Sequence, residues 1–220
     1  MILFSAIAYE DCSAAYHWHR GFSGANDSLY PREYDDFQSL VMDGSVWAAK
    51  EAGGNYLALA YASYSESNNE CEIGGLMVAK AARGQGLGAN IMRLVLSHAL
   101  VEENLLAIPD VKIVAHVLKS NDEPRKIIED ILKFRYMRTL KIPASQLKGL
   151  RVEEDGFIHG DEYEIMLPDT LIELAEWAKS WPSGSASSNL GYVELRTGVE
   201  LNDWADALKQ MASQYITQKQ

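Results

Sequence analysis

Arg83-Gly84-Gln85-Gly86-Leu87-Gly88 puts three glycines into five positions between two runs of different character. Cys71 to Val78 has strand character, and from Leu87 onward Leu87, Ile91, Leu94, Val95 and His98 share one helical face. Glycine at this density lets the backbone turn tightly and removes the Cβ atoms that would hold a ligand away. Amides of the loop and of the first helical turn then converge on one point, where the helix dipole adds partial positive charge and Arg83 a full one. The arrangement suits a phosphate or pyrophosphate. An ordinary strand-to-helix turn is the alternative, but it usually needs one glycine.

Gly84 to Ala89 also fits the dinucleotide pattern G-x-G-x-x-G/A. That pattern follows its strand almost directly, with an acidic residue closing the next strand. Here Lys80 to Arg83 intervene, Glu102 and Glu103 lie near the end of the helix, and the next strand ends at Lys119. A nicotinamide-dinucleotide reading therefore fails on context, and the chain has no G-x-x-x-x-G-K-[ST] loop.

The rest of the chain supplies the frame for that unit. Met1 to Tyr9 reads as a strand, Asp11 to Arg20 as a helix, and Ser23 to Ser28 as a loop. A second helix is expected to open at Tyr30-Pro31, since proline suits a first helical turn. Val46–Glu51 and Tyr56–Tyr61 form a hairpin, Val111 to Leu118 a strand, Asp122 to Phe134 a helix, and Tyr136 to Ile142 and Asp161 to Met166 strands. Beyond Pro168 come a helix from Asp169 to Trp181, a linker-like Ser/Gly stretch at 182–188, and an amphipathic helix carrying Trp204, Leu208, Met211 and Tyr215. The order β-α-α-β-β-β-α-β-α-β-β followed by α-α implies an α/β (α+β) fold with a mixed, mostly antiparallel central sheet flanked by helices. Residues 1–168 are expected to form the main domain and 169–220 a C-terminal helical extension, which either packs back on the core or makes a homodimer contact.

Composition narrows the partners. With 20 Lys+Arg against 31 Asp+Glu, the 220-residue chain carries a formal charge of −11, which argues against a nucleic-acid binder and favours approach of a cation. No apolar run reaches the length of a membrane span, so no membrane is expected as a partner. Cys12 and Cys71 exclude a disulfide scaffold and fit a reducing cytoplasm.

Arg83-x-x-Gly86-x-Gly88 matches [RQ]xxGx[GA], and at this point the chain resembles the GNAT superfamily of acyl-CoA-dependent N-acetyltransferases. Glu72 to Val78 is similar to the strand that precedes that loop in the family. Val111–Leu118, Asn121, the following helix and the aromatic pair Phe134 and Tyr136 resemble its second block. The likeness covers about residues 1–167. It implies that coenzyme A lies where the Cys71–Val78 and Val111–Leu118 strands splay. Leu76, Met77 and Val78 would line the pantetheine arm, with Met77 and Val78 offering backbone groups. Arg83, Gly84, Gln85, Gly86, Leu87 and Gly88 would hold the pyrophosphate, and Asn121 would bond the pantetheine amides or cap its helix. Acetyl-CoA is then the co-substrate, with no metal.

Acyl transfer to an amine requires a base, a donor for the developing oxyanion and a route for the thiolate. Glu72 lies eleven residues before Arg83, the offset of the general-base glutamate in the histone-acetylating branch, and a half-buried carboxylate is expected to have a raised pKa. The N–H of Met77 or Val78 would serve the oxyanion. The family's helix tyrosine is missing: its position falls at Ile127, Ile128 or Glu129, which leaves Tyr136 or water as proton source. His17-Trp18-His19 is expected to be an exposed or capping pair, and His98 and His116 to be satisfied locally. The expected activity is transfer of an acetyl or short acyl group to a small-molecule amine, or to the lysine or N-terminal amine of a peptide. A non-catalytic acyl-CoA-binding module is the alternative.

Overall fold

The computed structural model describes residues 1–25, 28–181, 193–196 and 200–218. Its strands are β1 (Ile2–Ala6), β2 (Val46–Glu51), β3 (Tyr56–Ser65), β4 (Glu70–Val78), β5 (Lys112–Leu118), β6 (Arg135–Pro143), β7 (Phe157–Glu164) and β8 (Val193–Arg196). The helices are α1 (Cys12–Gly24), α2 (Tyr34–Met42), α3 (Leu87–Val101), α4 (Asp122–Lys126), α5 (Asp169–Ser180) and α6 (Leu201–Gln218). The described strands make one sheet in the order β6-β7-β5-β4-β3-β2-β1-β8. Its neighbours are antiparallel except for β4–β5 and β1–β8. This is the mixed, mostly antiparallel sheet with flanking helices that the element order implies.

Apolar residues on both faces explain why the central strands read as nearly unbroken apolar runs. In β2, Trp47 and Ala49 enter a core shared with α3, whereas Val46 and Ala48 enter a second core under α1 and α2. The first core also takes Leu171, Leu174 and Ala175 of α5 and Trp204 and Leu208 of α6, so the C-terminal helices pack back on the sheet. Trp204 stands edge-on to Trp47, and its Nε1 donates to Glu102 Oε1 at 2.7 Å. Strand β8, which pairs parallel to β1, carries too short a run to read from sequence. The linker-like stretch 182–188 lies outside the described residues.

Two helices differ from expectation. Helix α2 starts at Tyr34, not at Tyr30-Pro31, with Glu33 as its extended N-cap. The residue before a proline is biased toward extended backbone, and residues 28–33 instead cross the sheet as a strap. Helix α4 has five residues before a π turn over Ile127–Ile131.

The sheet opens in its middle. Pairing of β4 with β5 runs from Glu70↔Lys112 to Glu72↔Val114 and stops. On its other side β4 carries a bulge: Leu59↔Met77 and Tyr61↔Gly74 leave one residue on β3 opposite two, Gly75 and Leu76, on β4. Gly75 has φ +63, and a Cβ there would lie 2.1 Å from the Tyr61 ring, so no other residue lets the strand press onto that ring. The extra residue bends β4 away from β5.

Candidate active site

A cavity of about 610 Å³ passes through this opening. Met92, Pro124 and Ile128 line it on the α3 side. On the opposite side lie Glu72, His116, Glu162, Arg138, Tyr61 and Arg32. Strand alternation makes the division: Ile113, Ala115 and Val117 of β5 enter the α3 core, which turns His116 and Leu118 the other way.

Glu72 and His116 meet although 44 positions separate them, because the parallel pairing aligns the N-terminal halves of β4 and β5. His116 Nδ1 is 3.2 Å from Glu72 Oε1 and its Nε2 is 3.5 Å from Glu162 Oε2. Arg138 donates to Glu162 from Nε at 3.1 Å and from its terminal nitrogen at 2.8 Å. The four side chains form a continuous acid–base chain. Burial pushes the Glu72 carboxyl up, but the His116 bond and the His116 and Arg32 charges outweigh it, and the net shift is down. For His116 burial acts downward and is outweighed by the Glu72 bond, the Glu72 and Glu70 charges and the Glu162 bond, so its pKa is raised above its ordinary 6.5. The raised carboxylate expected from burial alone is thus corrected. The two groups titrate as a coupled pair, the carboxyl shifted down and the imidazole up.

The glycine loop has the expected form. Gly84 and Gly86 have φ +74 and +79, and a Cβ on either would meet nothing within 4 Å, so the surface above them is open. Gly86 is the N-cap of α3 and no side chain caps that helix, which leaves the first-turn amides pointing outward. Gly88 serves packing instead: its Cβ would lie 3.1 Å from Ile127 and 3.4 Å from Val78. Leu87 is buried in the core, while Arg83 and Gln85 are exposed and fold back onto the carbonyls of Val78 and Ala81. Beside Arg83 is a hollow lined by Lys80, His17 and Trp18, so Lys80 adds a second cation that the motif did not indicate.

Along β4 the ladder corrects which amides face the gap. Ala79 N–H bonds Leu57 O at 2.8 Å, and antiparallel bonding alternates, so Met77, opposite Leu59, turns its N–H and C=O toward β3. Its side chain is buried under α1 and α2. Val78, one position on, turns its backbone groups away from β3, its carbonyl accepting from Arg83 Nε, and Leu76 in the bulge lines the cavity. Asn121 is the N-cap of α4, makes no capping side-chain bond and lines the cavity.

Tyr136 is not brought to the site. A register shift between Tyr136 and Arg138 places Tyr136 opposite Tyr163, whose ring is in the α3-side core, while Arg138 stands opposite Glu162. The bulge turns Tyr136 to the other face, where its hydroxyl bonds Thr139 Oγ1 at 3.0 Å. His19 is likewise not exposed. It is buried between Tyr16 and Phe37, and burial, with the charges of Arg32 and Arg20, holds its pKa down at about 4. Both cysteines are buried and free, and burial pushes the Cys71 thiol up to about 12, which makes it no nucleophile.

No helix among the described residues is long and apolar enough to cross a membrane. A search of curated proteins finds no match to the sequence. Among solved structures, the chain is similar to yncA, a putative acetyltransferase from Salmonella typhimurium with its cofactor acetyl-CoA, at 15% identity and TM-score 0.55, over 76% of this chain and 94% of that one. It is similar to a phosphinothricin acetyltransferase from Sinorhizobium meliloti in complex with acetyl-CoA, at 15% identity and TM-score 0.53, over 73% and 85%. NAA60 from Arabidopsis thaliana, in complex with a bisubstrate analogue, aligns at 18% identity and TM-score 0.53, over 74% and 97%. At such identities these likenesses establish the fold. The model of the acetyltransferase (GNAT) family matches residues 12–122, from the first helix to the strand end beyond the glycine loop, and the chain belongs to that family.

Proposed function

We propose that the chain transfers an acetyl or short acyl group from acetyl-CoA to a primary amine by direct attack within a ternary complex. The observation that carries this reading is the Glu72–His116–Glu162 chain at the point where β4 and β5 part, a strand's length from the uncapped N-terminus of α3. The residues fit the co-substrate: Arg83 to Gly88 offer amides and a guanidinium to a diphosphate, Lys80 adds charge beside them, and Leu76, Val78 and Asn121 offer hydrogen bonds along the opening. When bound, acetyl-CoA supplies an electrophilic acyl carbon and a thiolate leaving group, of pKa about 8.5 for a simple thiol. With His116 neutral, the Glu72–His116 pair takes one proton from the ammonium, and the neutral amine then attacks the acyl carbon. The N–H of Val78 or Leu76 is the donor for the developing oxyanion. Ile128 faces the cavity where a proton donor for the thiolate would stand, so the thiolate leaves to water.

That apolar position also favours a second reading, an acyl-CoA-binding module without turnover. Calorimetric titration with acetyl-CoA, followed by a thiol-release screen over amino acids, amino sugars, polyamines and lysine peptides, separates the two. Binding with release supports acyl transfer, binding without release supports the module, and no binding at tens of micromolar overturns both. Residues 1–168 carry the proposed chemistry, and helices α5 and α6 pack on the same core.

A further inference from the structure

The strap 28–33 and the loop between β6 and β7 meet over the outer end of the cavity. Gly149, at φ +86, leaves room for Pro31, whose Cγ would stand 2.8 Å from a Cβ there. Beneath this roof most of the lining charges are matched: Arg138 holds Glu162, and His116 joins Glu72 to Glu162. Arg32 is not. Its guanidinium carbon lies 4.5 Å from the centre of the Tyr61 ring, its Nε is buried without a hydrogen-bond partner, and it has no ion-pair partner among the described residues. Its Nε is left without a hydrogen bond and its fork without a carboxylate in contact among the described residues, and a planar carboxylate is the ligand that fills both. Arg32 is also close enough to Glu72 for its charge to act on that carboxyl. Glu70, at the start of β4, adds a second carboxylate on the Glu72 side. The remaining wall on this face is aliphatic, formed by Leu140, Ile142, Leu147, Leu150 and Ile158.

The cavity thus presents an anion site, a cation site and an apolar wall. We propose that the acceptor is an apolar amino acid, its carboxylate on Arg32, its amino group at Glu72 and its side chain against the aliphatic wall. This assignment rests on the acyl-transfer reading for the direction of the amino group. A polyamine would set a second ammonium against Arg32.

The test is calorimetric binding to the protein saturated with CoA, comparing L-leucine, L-methionine and L-phenylalanine with their carboxamides and with L-aspartate and L-lysine. At least one apolar amino acid should bind about tenfold or more tightly than its amide and than the two polar amino acids. Arg32→Gln should bring acid and amide within about twofold of each other, and Arg32→Lys should keep part of the difference. Affinity of both variants for acetyl-CoA, unchanged within about twofold, reports an intact fold. Amides binding as well as acids in every pair, or a preference that survives in Arg32→Gln, overturns the proposal. Thiol release tells the two readings apart: amino-acid binding without release from acetyl-CoA leaves carboxylate recognition standing and removes acyl transfer, whereas release with amides as readily as with acids does the reverse.

Discussion

Glu72 alone, desolvated on a central strand, would be a carboxylate of raised pKa. With His116 at 3.2 Å and Arg32 nearby its pKa is held below the ordinary value instead, and that of the imidazole is raised. The pH dependence follows in sign. The folded pKa of Glu72 is below its ordinary 4.5 and that of His116 above its ordinary 6.5, so the pair stabilises the fold fully between those values. Its contribution is lost as pH falls through the folded Glu72 value or rises through the folded His116 value. For the proposed acyl transfer the direction is opposite at the upper end, because the pair would accept a proton only once His116 has lost one. Initial-rate kinetics should show kcat/KM rising with pH through an inflection above 6.5, and His116→Gln should remove that inflection. Glu72→Gln should lower kcat by about 10²–10⁴, while acetyl-CoA affinity measured by calorimetry stays near that of the unaltered protein.

At the level of elements, two bulges decide what the site contains. The extra residue at Gly75-Leu76 opens β4 from β5 and seats the strand on Tyr61, the ring that in turn carries Arg32. Gly75→Ala forces a Cβ into that ring at a backbone angle that L-residues avoid. Chemical denaturation should register a loss of roughly 1–3 kcal/mol, together with weaker acetyl-CoA binding. Gly86→Ala is a different case, since its Cβ meets nothing within the chain. The fold should lose only about 1 kcal/mol, whereas calorimetry should show acetyl-CoA binding weakened by about tenfold or more, because in the proposed complex the methyl group stands where the phosphate approaches. The second bulge, at Tyr136 to Arg138, brings Arg138 to Glu162 and turns Tyr136 to the opposite face.

Across the whole molecule the C-terminal helices belong to the same core as the acyltransferase sheet. Trp204 is 1% exposed, packs on Trp47 and His98, and donates to Glu102. Trp204→Ala removes that ring and leaves the carboxylate unpaired. The expected cost is about 3–5 kcal/mol, and fluorescence and far-UV dichroism should still report one coincident unfolding transition. Two separated transitions would mean that α6 is an appendage and not part of this core. The strap 28–33 and the β6–β7 loop close the cavity from elements more than a hundred residues apart, so the proposed acceptor site exists only in the assembled fold.

The glycine loop, most strands and the apolar stripe of Trp204 and Leu208 were legible in the chain, because each depends on neighbours in sequence: a left-handed turn, a two-residue alternation, a helical stripe. Glu72 was legible only by its offset from Arg83, and its partner His116 was not. The missing information is register. Pairing of β4 with β5, not any local preference, brings Glu72 to His116, and single inserted residues at Gly75 and beside Arg138 decide which side chains share a face. Arg32 reads as part of a helix start until the sheet beneath supplies Tyr61. A contiguous segment carries its own turn chemistry, but a charge relay assembled from β4, β5, β6 and β7 exists only once long-range pairing has chosen the faces.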